Sequence, residues 1–210
     1  KAGDPITLFN GLGGEYPATL TDCSNKRARA RVMDFVAIER ESPLQIHLGI
    51  GLSRGDRMDW VIQKATEAGV SEITPLFTDR TEVKLKSDRR EKKLGHWQQI
   101  VASACEQCYR NRLPIIHEPR NLQHWLNEVS SDKKLVLHHR SEQSLRQLQD
   151  ETCSSVTLLI GPEGGLSPEE IEAAIQQDFQ PLTLGPRVFR TETAPVVAIS
   201  ILQSIWGDFT

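Results

Sequence analysis

From residue 44 onward, short apolar runs alternate with amphipathic stretches of helical length, and this alternation restricts the fold more than any other feature of the chain. Runs at 44–51, 73–77, 114–117, 134–138, 156–160 and 182–184 have the length of strands, and residues 56–68, 88–111, 122–129, 141–149, 168–177 and 193–206 predict the helices between them. Strands joined through helices lie parallel, and a parallel sheet is covered on both faces, so its strands read as continuous apolar runs. The pattern predicts an α/β fold around a mostly parallel sheet.

The first 42 residues follow a different rule. Segments at 6–9, 16–21 and 27–34 read as strands separated by Asn10-Gly11 and Gly13-Gly14 turns, which predicts a small barrel or sheet. The chain opens on Lys1 within a β region, so this part is expected to lack its first strand. Glu41-Ser42-Pro43 reads as a linker, giving domains at 1–42 and 43–210. Arg27, Arg29 and Arg31 share one side of a strand by its period of two. A row of guanidinium groups suits a phosphate backbone, and it equally suits a solvated face.

Charge and cysteine content exclude several classes. With 38% hydrophobic and 25% charged residues and no apolar run of bilayer length, the chain is not expected to be a membrane protein. A formal net charge of -3 argues against holding nucleic acid by bulk charge alone. The charge is uneven: residues 80–96 carry seven Lys/Arg against three acids, whereas 141–180 carry Arg146 against eight acids. Cys23, Cys105, Cys108 and Cys153 form no secreted framework, which favours the cytoplasm. Cys105 and Cys108 have CxxC spacing without a second ligand pair, so no metal site is expected.

Three loops carry possible chemistry. Gly49-Ile50-Gly51-Leu52-Ser53-Arg54-Gly55 follows a strand and opens a helix like a dinucleotide-binding turn, with Asp79 as a ribose partner; this is the basis of an oxidoreductase alternative. The same residues match the G-x-S-x-G pattern of hydrolases, but Arg54 beside the serine supplies no base. The strongest signal is the apolar run ending at Ile160 that enters Gly161-Pro162-Glu163-Gly164-Gly165 and then a helix started by Ser167-Pro168. Leu184-Gly185-Pro186-Arg187-Val188-Phe189-Arg190-Thr191-Glu192 repeats the design: a strand leaves through Gly-Pro and enters a helix. Two backbone-rich loops then lie at one edge of the sheet, where open α/β folds bind ligands.

These two segments, with residues 59–70, 106–110 and 137–140, closely resemble the RsmE family of ribosomal RNA uridine methyltransferases. The resemblance covers nearly the whole chain. It implies a SPOUT-type trefoil-knotted parallel-sheet domain, working as a homodimer, preceded by a small PUA-like β-barrel that binds RNA. The implied reaction is S-adenosylmethionine-dependent methylation of N3 of a uridine in small-subunit (16S) ribosomal RNA, on naked RNA or the assembled small subunit. By resemblance the cofactor lies against Leu137, His138, Gly161, Gly164, Gly165, Leu184, Gly185, Val188 and Phe189. Candidate catalytic residues are Arg110, Arg190 and Glu192, the last either accepting a proton or capping the final helix. Candidate RNA contacts are Arg27, Arg29, Arg31, Arg112 and Arg140. Ala68 and Phe189 depart from the usual Leu and aliphatic residue of the family. A non-catalytic RNA-binding protein is the remaining alternative.

Overall fold

The computed structural model describes residues 1–83, 87–138, 141, 145–148 and 152–209, without the side chains at 87–89 and 145–146. The chain divides into two compact units, Lys1–Glu41 with Cys105–Leu113, and Ser42–Ala104 with Pro114–Thr210.

The first unit is built on β1 (Pro5–Leu8), β2 (Tyr16–Ser24) and β3 (Arg27–Val32), an antiparallel sheet in the order β1-β2-β3. A register shift between Leu20 and Asp22 marks a bulge, which increases local twist. The sequence pattern of residues 1–42 does not show that Cys105–Leu113 returns to this unit. There Gly13 N–H donates to the Asn111 carbonyl at 3.1 Å, and the Asn111 amide donates to Ile38 O at 2.7 Å.

The second unit contains β4 (Gln45–Gly51), α1 (Asp56–Glu67), β5 (Glu72–Phe77), α2 (Ser87–Cys108, whose last turn belongs to the first unit), β6 (Ile115–Ile116) and β7 (Arg120–Asn121). It continues with α3 (Leu122–Glu128), β8 (Lys133–Leu137), β9 (Ser155–Ile160), α4 (Pro168–Gln176), β10 (Gln180–Leu182) and α5 (Thr193–Trp206). The sheet runs β10-β8-β9-β4-β5-β6, with β7 also on β5, and its pairings are parallel. The last strand ends at Leu182, not at Leu184 as the apolar pattern suggested; Thr183 instead turns the chain by hydrogen-bonding Gly185. Of the helix predicted over 141–149, the described part is a 3-10 turn, Leu145–Leu148.

Burial explains these choices. On β9 every residue from Val156 to Ile160 is buried, as expected for a strand covered on both sides. In α1 the buried side chains Met58, Val61, Ile62 and Ala65 recur at helical spacing, while Asp56 and Asp59 favour its N-terminus through the dipole. Leu122, Trp125 and Leu126 of α3 and Ala174 of α4 pack with Leu76, Val136 and Leu159 of the strands and with Phe179. Gln203 fastens α5: its buried amide accepts from the Ser42 hydroxyl at 2.6 Å and donates to the carbonyls of Ala68 and Gly69.

Candidate active site

β9 delivers the chain into the turn Gly161-Pro162-Glu163-Gly164-Gly165, closed by a hydrogen bond from Gly165 N–H to Pro162 O at 2.8 Å. Gly165 has φ 71, the left-handed region that glycine enters without a Cβ clash. A Cβ on Gly161 would lie 2.8 Å from the backbone nitrogen of Leu166, so this position admits no larger residue without moving the loop. Side chains from distant segments fix the turn from outside. Arg80 donates to Gly164 O at 2.8 Å, and the Glu163 carboxylate accepts from Arg57 at 2.9 Å and from Arg54 N–H at 3.3 Å. Burial pushes the Glu163 carboxyl up, but hydrogen bonds from its own amide and from Arg57 outweigh it and hold it below the usual carboxylate range.

The exit from the turn is equally specified. Ser167 caps α4 with a reciprocal bond to Glu170, and its hydroxyl donates to Asp79 at 2.9 Å. Asp79, a ribose partner in the dinucleotide alternative, is therefore occupied in holding the start of α4. Across the sheet, His138 N–H donates to Leu182 O at 2.8 Å, joining the end of β8 to the end of β10. Gly185 follows with φ 112, and residues 186–192 lead into α5.

Between these loops lies a cavity of about 940 Å³. Leu137, His138, Gly161, Gly164, Gly165, Leu184, Val188 and Phe189 line it, so of the expected cofactor contacts only Gly185 is not in its wall. Segments 161–165 and 184–190, expected from sequence to lie at one edge of the sheet, thus face one space. Arg190 and Glu192 line it too, with 4.0 Å between guanidinium and carboxylate, and the Arg190 side chain is 84% exposed. Glu192 stands at the N-cap position of α5 and makes no side-chain hydrogen bond to its first turn, so what it offers that helix is its charge beside the dipole.

Of the other expected contacts, Arg27, Arg29, Arg31, Arg110 and Arg112 fall in the first unit. Arg110 is buried there and its guanidinium is paired with Glu41; it is not among the residues lining the cavity. Arg27, Arg29 and Arg31 are exposed on β3, with Arg27 3.7 Å from Asp22. Arg112 pairs with Glu39 at 3.0 Å. Arg140, and Lys84 and Lys86 of the basic run, lie outside the described residues.

Sequence reading missed Arg57, Arg80, Thr183 and Arg187 in the cavity wall. Arg187 sat within a motif already singled out. Arg57 and Arg80 reach the wall from α1 and from the segment after β5, and no local spacing announces that. The Gly49–Gly55 loop, by contrast, is not in the wall. A Cβ on Gly51 would fall 2.4 Å from the nitrogen of Pro162, so its glycine serves a close backbone approach between two strand ends.

Residues 40–203 match the family model of the RNA methyltransferase domain. Ribosomal RNA small subunit methyltransferase E of Buchnera aphidicola (subspecies Acyrthosiphon pisum) is 39% identical over 210 residues, covering 100% of this chain and 83% of that protein. This chain belongs to that methyltransferase family. The Bacillus subtilis member is 32% identical, covering 96% of this chain and 82% of its own length. Among solved family structures, the Neisseria gonorrhoeae enzyme bound to S-adenosylmethionine superposes with a TM-score of 0.92 at 38% identity, over 100% of this chain and 86% of that one. A Legionella pneumophila methyltransferase with bound S-adenosylmethionine gives 0.94 at 42% identity, with the same coverage. Family membership replaces both the hydrolase reading of the 51–55 segment and the oxidoreductase alternative.

Proposed function

We propose that this chain transfers a methyl group from S-adenosylmethionine to N3 of a uridine in small-subunit ribosomal RNA, in the cytoplasm. The observation that carries this reading is the cavity shared by the turn at 161–165 and the loop at 184–190, whose wall includes eight of the nine residues expected as cofactor contacts. The space fits such a group chemically. Its wall combines the backbone of Gly161, Gly164 and Gly165 with the apolar side chains of Leu137, Leu184 and Phe189, and its volume is within the range of small-molecule sites. Bound there, S-adenosylmethionine supplies an electrophilic methyl on a sulfonium.

The chain's own residues do the rest. Backbone amides and carbonyls of the two loops orient the donor, and fixing both reactants in line contributes roughly 7–11 kcal/mol. Removal of the uridine N3 proton leaves negative charge on the flanking carbonyl oxygens, which Arg190, exposed at the cavity, is placed to stabilise. Glu192, 4.0 Å from it, is the candidate proton acceptor. Arg110 is the second candidate catalytic cation. In this reading the second unit is a SPOUT-type trefoil knot that dimerises, and the first is a PUA-like barrel presenting Arg27, Arg29, Arg31 and Arg112 to RNA, with Arg140 contributing from the second. The substrate is naked RNA or the assembled small subunit.

The test is incubation of the full chain with methyl-labelled S-adenosylmethionine and small ribosomal subunits or their RNA, followed by nucleoside analysis. The expected product is 3-methyluridine, with an Arg190→Ala variant slowed by about 10²-fold or more. A folded chain that binds S-adenosylmethionine without transferring methyl would overturn the catalytic assignment in favour of a non-catalytic RNA-binding role.

A further inference from the structure

On the strands β4, β5 and the segment after β6, three ligand-type side chains converge that the methyltransferase reading does not use. His47 and Glu72 are register partners on adjacent parallel strands, so their side chains leave the same face. His117 N–H donates to Ile73 O, one position beyond the β5–β6 ladder, which sets His117 beside the same pair. The result is a triad: His117 Nε2 is 2.7 Å and His47 Nδ1 is 4.0 Å from one carboxylate oxygen of Glu72. All the potential ligand atoms fall within 4.8 Å of one another.

We propose that His47 Nδ1, the Glu72 carboxylate and His117 Nε2 form a zinc-class divalent metal site that fastens the β6 edge of the sheet. Zinc bonded at about 2.0–2.2 Å to tetrahedral ligands holds them roughly 3.3 Å apart. The two observed separations bracket that value, so small side-chain adjustments suffice. Two imidazoles and one carboxylate favour zinc over calcium or magnesium, which take oxygen donors. The outer contacts agree with this role. A metal on His47 Nδ1 requires the ring proton on Nε2, and the buried Thr74 hydroxyl oxygen stands 2.8 Å from that nitrogen to accept it. The edge of the Trp125 indole lies against the His47 ring at 5.5 Å and helps to fix its plane.

Access and charge are also suitable. The three side chains are 20%, 40% and 29% exposed, so the pocket is walled but open on the Glu72 side, leaving a fourth position for water. One carboxylate and two neutral imidazoles leave the bound ion a single positive charge. Arg120, whose charge acts on His47, has its guanidinium paired with Glu128. None of the three residues lines the cavity at the ends of β8, β9 and β10, so occupancy of this site and methyl transfer are separable.

The test uses the full chain freed of metal by a chelator and titrated with Co2+, read by its visible absorption, and then with Zn2+ in competition. Wild type should bind one ion with the spectrum of nitrogen and oxygen ligands, and zinc should raise its Tm. His117→Ala and Glu72→Gln should each weaken binding by at least about tenfold. Their metal-free Tm values, compared with wild type, show that these variants are folded. Cys108→Ser should leave binding unchanged. Absence of zinc binding to wild type, equal affinity in both folded variants, or a thiolate charge-transfer band lost in Cys108→Ser would each overturn the assignment.

Discussion

Gly161 is the residue on which the cavity wall turns. Its missing side chain lets the Leu166 nitrogen approach to where a Cβ would be, so Gly161→Ala must shift the 161–165 turn or distort it. We expect this variant to remain folded, with a Tm lower by several degrees, and to bind S-adenosylmethionine at least about tenfold more weakly by calorimetry. Glu163, beside it, carries a pH signature. Its carboxyl is held below the ordinary glutamate range, so the stabilisation it gives is complete above that range and is lost as pH falls through the lower folded value. Glu163→Gln should therefore flatten part of the fall in Tm between about pH 5 and pH 3. The Arg57 partner is half-exposed, which limits the effect to about 1 kcal/mol or less. Residues of this kind were readable where chemistry is local. Glycine beside proline after an apolar strand announces a backbone-lined turn, whereas the roles of Arg57 and Arg80 depend on which strand ends the fold makes adjacent.

At the scale of elements, the start of α4 ties the cavity to the segment after β5. Ser167 satisfies the Glu170 amide and also donates to Asp79, whose own amide donates to Glu170. Ser167→Ala removes both side-chain bonds at once and should cost about 1–2 kcal/mol, at the upper end for a capping residue, as measured by urea unfolding. The sequence already contained this cap as Ser-Pro-Glu-Glu after an apolar strand, and the helices at 56–67 and 193–206 were legible from periodicity and stop signals in the same way. The two-residue strands β6 and β7 were legible only in part, because they are too short for periodicity and owe their pairing to β5. The end of β10 was misplaced for a related reason: an apolar residue such as Leu184 facing a ligand cavity looks, in sequence, like one facing a core.

For the whole molecule, the order of strands in the sheet could not be read from the chain, since periodicity finds strands without ranking their neighbours. The family resemblance supplied the methyltransferase identity, which pattern alone did not. The first unit carries its own prediction. If β3 presents its arginines to a phosphate backbone, replacing Arg27, Arg29 and Arg31 together by Ala should weaken RNA binding uniformly across sequences. The slope of log affinity against log salt should fall by about 2, as expected for three contacts to single-stranded RNA. An unchanged slope would assign that face to solvent. In the second unit, β9 lies between β8 and β4, and Gln45 is aligned with Ser155. A nascent chain that has already made β4 must therefore wait for more than a hundred further residues before that strand gains its central neighbour, and α5, held by Gln203, comes later still. Such late pairing makes folding slow. An enzyme that acts on ribosomal RNA thus acquires its methyl-donor pocket only once synthesis has passed the loop at 184–190 and reached α5, and a stop before α5 yields a chain without a competent site.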